Sequence, residues 1–505
     1  MSKMLIIGGG VSGLCAGIYA RLNGLEATIC ERSSCVGGNL TGWQREGIYI
    51  DNCIHWLTGT NPNTETYKRW VEVGMLGEGV EIIQPDTLFS YSYGNKTLSL
   101  TSDIEQFRKD LLLLSPIDEK EINSFVNAIE DWSGIIGIGG KNHDEKYGAI
   151  KTAKAAPNIL KYHRMSTGQL SEKFVHPVIK KFFVSLLGSE FSAFVLIMIF
   201  ATFCYGNGGV PKGASLEAAK RMENRFLSLG GEIIYNKEAV KVNDGEKTVV
   251  EFSDGVNMEA DYVVLTTDPK VTFGEMLNVK MPKRLQALYD NPSMKRFSSV
   301  HCAFYSEEEL CFKGDYIIDV PEKYKNILGG SNIVLREFSH DRSLNPNKIM
   351  FESMIFCGDE RSRQFIDLYK DKSAYKSLKA EIAASVEAIV VGKFPGLAGK
   401  IRPIDVWTPA TYKRYINSEI GSYMSFTIPP KYIPRKIDNK VEGYPHVILA
   451  NQWLLPPGGL PNAASVGRNA ILTVLGMEQR RSTSGDILKR RRYSIYNKAK
   501  YGKAK

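Results

Sequence analysis

Short apolar runs broken by glycines set the pattern of the first thirty residues. Lys3-Met4-Leu5-Ile6-Ile7 predicts a buried strand. Leu14 to Asn23 repeats apolar residues at helical spacing, with Gly24 as a stop. Leu25 to Cys30 predicts a second strand, closed by Glu31. Trp43-Gln44-Arg45 and Ile48-Tyr49-Ile50 predict a hairpin around Glu46-Gly47. Residues 60–100 read as loop and short strands. Asp103 to Leu114 predicts a helix, with Thr101 or Ser102 as cap and Glu105 completing a capping box. Ser115-Pro116 breaks it. A second helix runs to Ser133, with Ile122, Phe125, Val126, Ile129 and Trp132 on one face.

Residues 134–172 read as loop plus helix. Phe191 to Phe203 is the most apolar run, 13 residues long. That is short of the roughly 20 needed to span a bilayer, so it predicts a buried helix beside a substrate cavity. Helix Leu216 to Leu229, stopped by Gly230-Gly231, then leads into strands at Glu232–Tyr235, Ala239–Val242, Thr248–Phe252 and Ala260–Thr267. The α/β pattern of the N-terminus resumes here after an insertion. Residues 286–400 offer no assignable motif.

Gly8-Gly9-Gly10-Val11-Ser12-Gly13 joins the first strand to the first helix and fits G-x-G-x-x-G. In the order strand, glycine turn, helix, strand, acid, this motif predicts a dinucleotide site. Gly8 permits a tight turn, Gly10 lets backbone approach a pyrophosphate, and Gly13 lets helix and strand pack closely. The helix start, Val11 and Ser12 included, offers N–H groups and partial positive charge to phosphate. Glu31 lies 18 residues after Gly13, the place for a carboxylate on ribose hydroxyls without a 2′-phosphate. A second motif of this kind is missing, so one dinucleotide is resident. A nicotinamide nucleotide, NADH or NADPH, would visit as a transient electron donor without a Rossmann site of its own.

Composition narrows the class. With 505 residues, 43% hydrophobic and 24% charged, two or three globular domains are expected. The 8 cysteines form no C-x-x-C pair and no zinc-ligand spacing, so no metal is expected and a reducing cytoplasm fits. No signal peptide is read at the N-terminus. Ten Lys or Arg residues and one acid, Asp486, fall in 479–505, so this tail carries the formal net charge of +9 over a neutral body. Such a tail suits peripheral contact with an anionic membrane surface. It gives no sign of specific nucleic-acid recognition. His55, in Asp51-Asn52-Cys53-Ile54-His55-Trp56, is the candidate proton relay.

Five stretches carry a resemblance. Glu31-Arg32 followed by Gly37-Gly38-Asn39 resembles the extended signature of glutathione-reductase-type FAD oxidoreductases, with Asn39 where many have Arg or Lys. Pro211-Lys212-Gly213-Ala214-Ser215, Val406 to Thr411, Gly421-Ser422 and Asn451 to Arg468 resemble the carotenoid (phytoene) desaturase group, which includes retinol saturases and carotenoid isomerases. The chain departs from that group at Ala214, usually Gly, and at Asn52 to Trp56, usually Gly-Pro after the acid.

The resemblance implies a non-covalently bound FAD held by Gly8, Gly10, Val11, Ser12, Gly13, Glu31, Arg32, Gly37, Gly38, Asn39, the backbone at Val240, and Pro457, Gly458, Gly459, Asn462 and Ala463. It implies an α/β, Rossmann-type (glutathione-reductase-like) FAD domain of residues 1–85, 205–285 and 440–478. An inserted α+β substrate domain of 86–204 and 286–439 follows from it. The implied chemistry is hydride movement between flavin and a carbon–carbon bond of a small apolar, isoprenoid or carotenoid-like substrate. The alternatives are an amine or amino-acid oxidase, with Arg402 or Arg414 meeting a carboxylate, and a non-enzymatic FAD protein.

Overall fold

The structure is a computed structural model and describes residues 2–135, 149–435 and 437–481. The basic tail beyond Arg481 lies outside the described residues.

The apolar runs at Lys3–Ile7, Glu26–Cys30 and Tyr262–Leu265 are buried on both faces, as a parallel sheet covered on two sides requires. They lie at the centre of a six-stranded sheet. Its order is Glu232–Ile234, Glu26–Cys30, Lys3–Ile7, Tyr262–Leu265, Tyr444–Leu449 and Lys440–Val441. All neighbours are parallel except the last pair. Helices Val11–Leu22, Ala214–Ser228 and Leu460–Arg481 enclose one core with this sheet. The antiparallel strands Ala239–Asn243, Thr248–Phe252 and Asn257–Ala260 close the other face.

A seven-stranded sheet forms the second layer. Its order is Ile401–Trp407, Phe297–Ser306, Ile349–Gly358, Asn332–Glu337, Asp315–Asp319, Thr87–Tyr93 and Lys96–Thr101. One face packs against helix Lys372–Lys393 through Val300, Cys302, Phe304, Phe351 and Ile355. The other face meets the helices between Ile104 and Cys204 through Phe89, Tyr91, Val334 and Met354. Among those helices Phe200, in Ala193–Cys204, is wholly buried against the rings of Phe89, Phe107, Phe125 and Phe182. Among the described residues no helix is long and apolar enough to cross a membrane.

Several local readings change. The stretch expected to be loop and short strands holds helix Glu65–Glu72, capped by Thr64, and two full strands of the seven-stranded sheet. Helix Ile104–Leu114 is capped by Asp103, whose Oδ1 accepts the N–H groups of Glu105 and Gln106, rather than by Thr101 or Ser102. The first helix begins at Val11, so the glycine motif itself forms its first turn. Residues 286–400 supply four of the seven strands. Both faces of those strands are covered, which removes the polar–apolar alternation that would have marked them.

Replacing Phe200 by Ala removes the ring at the centre of this aromatic cluster. A loss of about 3–5 kcal/mol in unfolding free energy is expected by urea denaturation. A loss under about 1 kcal/mol would mean that the cluster is not packed as described.

Candidate functional site

The glycine turn brings the end of strand Lys3–Ile7 to the start of helix Val11–Leu22. Gly8 has φ +103°, and a Cβ there would stand 2.3 Å from Thr266 Oγ1. At Gly13 a Cβ would stand 1.9 Å from the Gly8 carbonyl oxygen, so the helix approaches the strand closely only because this residue has no side chain. A Cβ on Gly10, by contrast, would meet nothing nearer than the Gly37 carbonyl at 3.9 Å. No side chain caps this helix, whose N-terminus is therefore available to an anion.

The second glycine turn lies against the first. Gly10 and Gly37 form a parallel bridge, and the Gly37 N–H donates to the Gly9 carbonyl at 2.9 Å. Gly37 and Gly38 have φ of +108° and +60°. Glu31 is buried at the end of the second strand. Its Oε2 accepts the Gly9 N–H at 2.6 Å and its Oε1 the Ser33 N–H at 2.8 Å. Each oxygen keeps a lone pair for a ribose hydroxyl. Arg32 pairs with Glu238 at 3.4 Å. Val240, close by in sequence, exposes its side chain where the strand register slips between Ala239 and Lys241.

A second helix start faces the same end of the sheet. Ser12 Oγ donates to the Ala450 carbonyl, and a Cβ on Gly467 would stand 2.3 Å from the Ser12 carbonyl, so helices Val11–Leu22 and Leu460–Arg481 are locked together. Gly458 and Gly459 have φ of +84° and +85°. The Gly459 N–H donates to Gln452 Oε1 at 2.9 Å, and Gln452 Nε2 donates to the Tyr423 carbonyl at 3.0 Å. Pro457 accepts the Ser425 N–H at 2.9 Å, Asn462 Nδ2 donates to the Leu455 carbonyl at 3.1 Å, and the Ala463 N–H donates to Gly459 at 2.9 Å.

Four buried polar atoms around these turns have no protein partner: Asn39 Oδ1, Ser425 Oγ, and both side-chain polar atoms of Asn451. Buried polar atoms are seldom left unpaired, so the crevice fits a polar, phosphate-bearing group such as a dinucleotide. Ser425 and Thr266 escaped sequence reasoning because neither belongs to a motif. Asn451 was visible as the first residue of the C-terminal motif.

The hairpin and the loop after it connect this crevice to the seven-stranded sheet. Asp51 ends strand Ile48–Asp51. Its Oδ2 accepts the Ser215 N–H at 2.8 Å, and its Oδ1 accepts the Cys53 N–H at 2.9 Å and the Ser215 hydroxyl. It thereby ties the start of helix Ala214–Ser228 to the His55 loop. Burial pushes its carboxyl up to about 6, against the lowering effect of these hydrogen bonds. Ala214 sits at φ +63°, the left-handed region that suits the glycine expected there.

The His55 ring is half-buried, with Nδ1 3.3 Å from the Cys53 carbonyl. Burial, then the Arg336 charge, holds its pKa well below the ordinary value, so the imidazole is neutral at physiological pH. With Nδ1–H donated to Cys53, Nε2 is a proton acceptor. Arg402 and Arg414 are both exposed, Arg414 donating to the Tyr369 hydroxyl, so neither is placed to meet a buried carboxylate. The sheet instead buries Arg336, at 5% exposure, in one row with Asp315 and Glu352. Among the described residues no group of three or more His, Cys, Asp or Glu could hold a metal ion.

The family model for flavin containing amine oxidoreductases matches residues 11–307. The chloroplastic prolycopene isomerase of Daucus carota is 24% identical over 452 residues, 83% of this chain and 71% of that protein. Among solved structures, an oxidoreductase from Methanosarcina mazei shares the fold with a TM-score of 0.58 at 14% identity, covering 93% of this chain and 100% of that one. Putrescine oxidase bound to putrescine does so with a TM-score of 0.57 at 14% identity, covering 94% and 99%.

Two measurements check the site. Gly13→Ala places a methyl group against the Gly8 carbonyl and should abolish retention of bound dinucleotide, read as nucleotide released per chain on denaturation. Retention equal to wild type would contradict the close approach. For Asp51, the raised folded pKa means that its favourable contribution is full below about pH 4 and is lost as pH rises through about 6. Asp51→Asn lacks this dependence. The stability difference should therefore move in the variant's favour by about 2–3 kcal/mol between pH 4 and 7 in urea titrations, although losing an acceptor lowers its absolute stability.

Proposed function

Because the chain belongs to the flavin containing amine oxidoreductases and is an FAD-dependent oxidoreductase, we propose that it moves hydride between flavin and a carbon–carbon bond of an apolar, isoprenoid or carotenoid-like substrate. Reduction or isomerisation of C=C and desaturation are the reactions in scope. The observation that carries this reading is the match to prolycopene isomerase over 83% of the chain.

In this reading FAD lies along the crevice described above. Gly8, Gly10, Val11, Ser12 and Gly13 present backbone to its pyrophosphate, and Glu31 takes ribose hydroxyls. Arg32 and the backbone at Val240 lie toward the adenine. The turn at Gly37, Gly38 and Asn39, with Pro457, Gly458, Gly459, Asn462 and Ala463, covers the pyrophosphate and flavin end. Asn451 and Ser425 take up polar atoms there. When bound, FAD supplies hydride chemistry. The chain supplies orientation, exclusion of water and control of protons. His55, held neutral, accepts a proton at Nε2 and does not donate one as a cation. Residues 86–204 and 286–439 form the substrate region, where the aromatic helices from Ile104 to Cys204 exclude water. The basic tail from 479 holds the protein at the anionic membrane surface where such substrates dissolve.

An amine oxidase is the second reading. Tyr412 and Tyr423, with ring centroids 5.7 Å apart, make an aromatic pair of the kind that receives a cation.

One experiment separates the two. The purified full-length protein is expected to be yellow, and its flavin is followed anaerobically with NADH, NADPH, dithionite, a linear polyene in vesicles, or putrescine. Polyene turnover or isomerisation, with putrescine leaving the flavin oxidised, supports the main reading. Bleaching by putrescine and recovery on admitting oxygen would replace it with the second.

A further inference from the structure

Large apolar side chains stand in water at one end of the helical layer. Leu113 is 84% exposed and Ile117 80%, the two highest values for such side chains among the described residues, and Val175 is 64% exposed. Single exposed apolar residues are ordinary, but a cluster marks a surface that meets something. These three belong to one surface. Helix Ile104–Leu114 turns Phe107 and Leu111 into the core, which leaves Leu113 outside. Ser115 and Pro116 end that helix, and Ile117 lies in the turn before helix Glu119–Ile135. Asp118 ties this turn to the loop after Phe174. Its Oδ2 accepts the Ser115 hydroxyl at 2.6 Å and the Val175 N–H at 2.9 Å. Asp118 and Phe174 are both buried, so the two turns are anchored and their apolar tips are held outward.

The surroundings of the tips are basic. A groove of about 360 Å³ opens beside Leu113 and Leu114, with Lys96, Ser99, Asp110 and His176 among its walls. His176 Nδ1 accepts the Val178 N–H at 3.3 Å, so Nε2 carries hydrogen and can donate. Lys96 in the groove, Lys109 one turn before Leu113 and Lys120 three residues after Ile117 have no ion pair among the described residues. The acids beside them, Asp110 and Glu119, are fewer, and Glu121 and Glu172 are taken up by Lys173 and Lys180.

This composition selects the occupant. The centre of a protein interface is usually built on Trp, Tyr or Arg. Here the centre is aliphatic and stands on turns, and the rim is lysine, whose stem lies along apolar surface while its ammonium stays in water. Aliphatic tips enter the boundary between headgroups and acyl chains, and the lysines around them meet anionic headgroups.

The geometry points to a membrane-docking surface: Leu113, Ile117 and Val175 insert into a bilayer containing anionic phospholipid, and Lys96 and His176 of the groove take a lipid phosphate. The surface uses none of the basic residues of the tail from 479, and it holds whichever substrate is turned over. One weak anchor gives only marginal, reversible binding, and a second signal makes it stable. The apolar tips and the basic tail are two such signals.

The test floats full-length FAD-loaded protein with vesicles of phosphatidylcholine and phosphatidylserine, at low salt and at about 0.5 M salt, where charges are screened beyond roughly 4 Å. Salt weakens what the tail contributes and spares apolar insertion, so part of the wild-type protein should stay bound at high salt. Leu113→Ser combined with Ile117→Ser should lower high-salt binding about tenfold, with the urea midpoint unchanged because both sites are exposed. Lys96→Gln should weaken low-salt binding to these vesicles and leave binding to pure phosphatidylcholine as it was. Amide exchange of the wild-type protein is a second reading that needs no variant: vesicles should slow exchange in residues 111–120 and 171–180. No wild-type binding at high salt, high-salt binding that the double variant keeps, or exchange that vesicles leave unchanged in both segments would overturn the proposal. So would a dimer in sedimentation equilibrium that the double variant abolishes, since a second copy would then be what covers this face.

Discussion

The approach of helix Val11–Leu22 to strand Lys3–Ile7, with Gly13 against the Gly8 carbonyl, is the contact on which the rest of this molecule depends. It aims an uncapped helix start along the axis of a parallel sheet. Glu31 and the Gly37 turn can then close on the same crevice, since both take hydrogen-bond partners from Gly9. Helix Leu460–Arg481 is held to the first helix by the equally close contact at Gly467. A single side chain at either glycine would move a helix by more than a hydrogen bond tolerates. Two helix starts and two glycine turns thus face one place, and backbone rather than side chains does most of the holding. That suits a polyanionic ligand, because backbone N–H groups carry partial positive charge without needing rotamers to be ordered.

The second layer meets the first through polar links that include Trp43 to Asp405 and Tyr49 to Asn345. Asp51 binds the start of helix Ala214–Ser228 and the His55 loop, and Asn52 joins Asn39 to Tyr412. Tyr423 receives both Asn39 and Gln452 on its carbonyl. These links carry the position of the crevice into a sheet whose buried row of Asp315, Arg336 and Glu352 is otherwise a cost. Replacing such a triad by apolar residues is often neutral or stabilising for a fold.

Reading from sequence succeeded where the chain repeats a local rule. The hairpin around Glu46-Gly47 appears as expected, with φ of +51° and +74° at those two residues. The glycine motif has its tight turn and its close contact where spacing placed them. Capping was misassigned by one residue at Asp103, because Thr101, Ser102 and Asp103 are all competent caps and only the backbone path chooses among them. The strands between 286 and 400 were missed because burial on both faces erases the alternation that identifies a strand.

The first forty residues by themselves determined the tight glycine turn, the close approach of helix to strand and the acid beside them, because each requirement there is local: a positive φ, an absent Cβ, an acid at the end of a strand. Only the tertiary structure decided what stands around them. It put Arg402 and Arg414 at the surface, made His55 neutral by burying it, and set His301 against Glu352 from strands that pair 51 residues apart in the chain. Burial and charge compensation depend on which strands become neighbours, and no local pattern of residues records that.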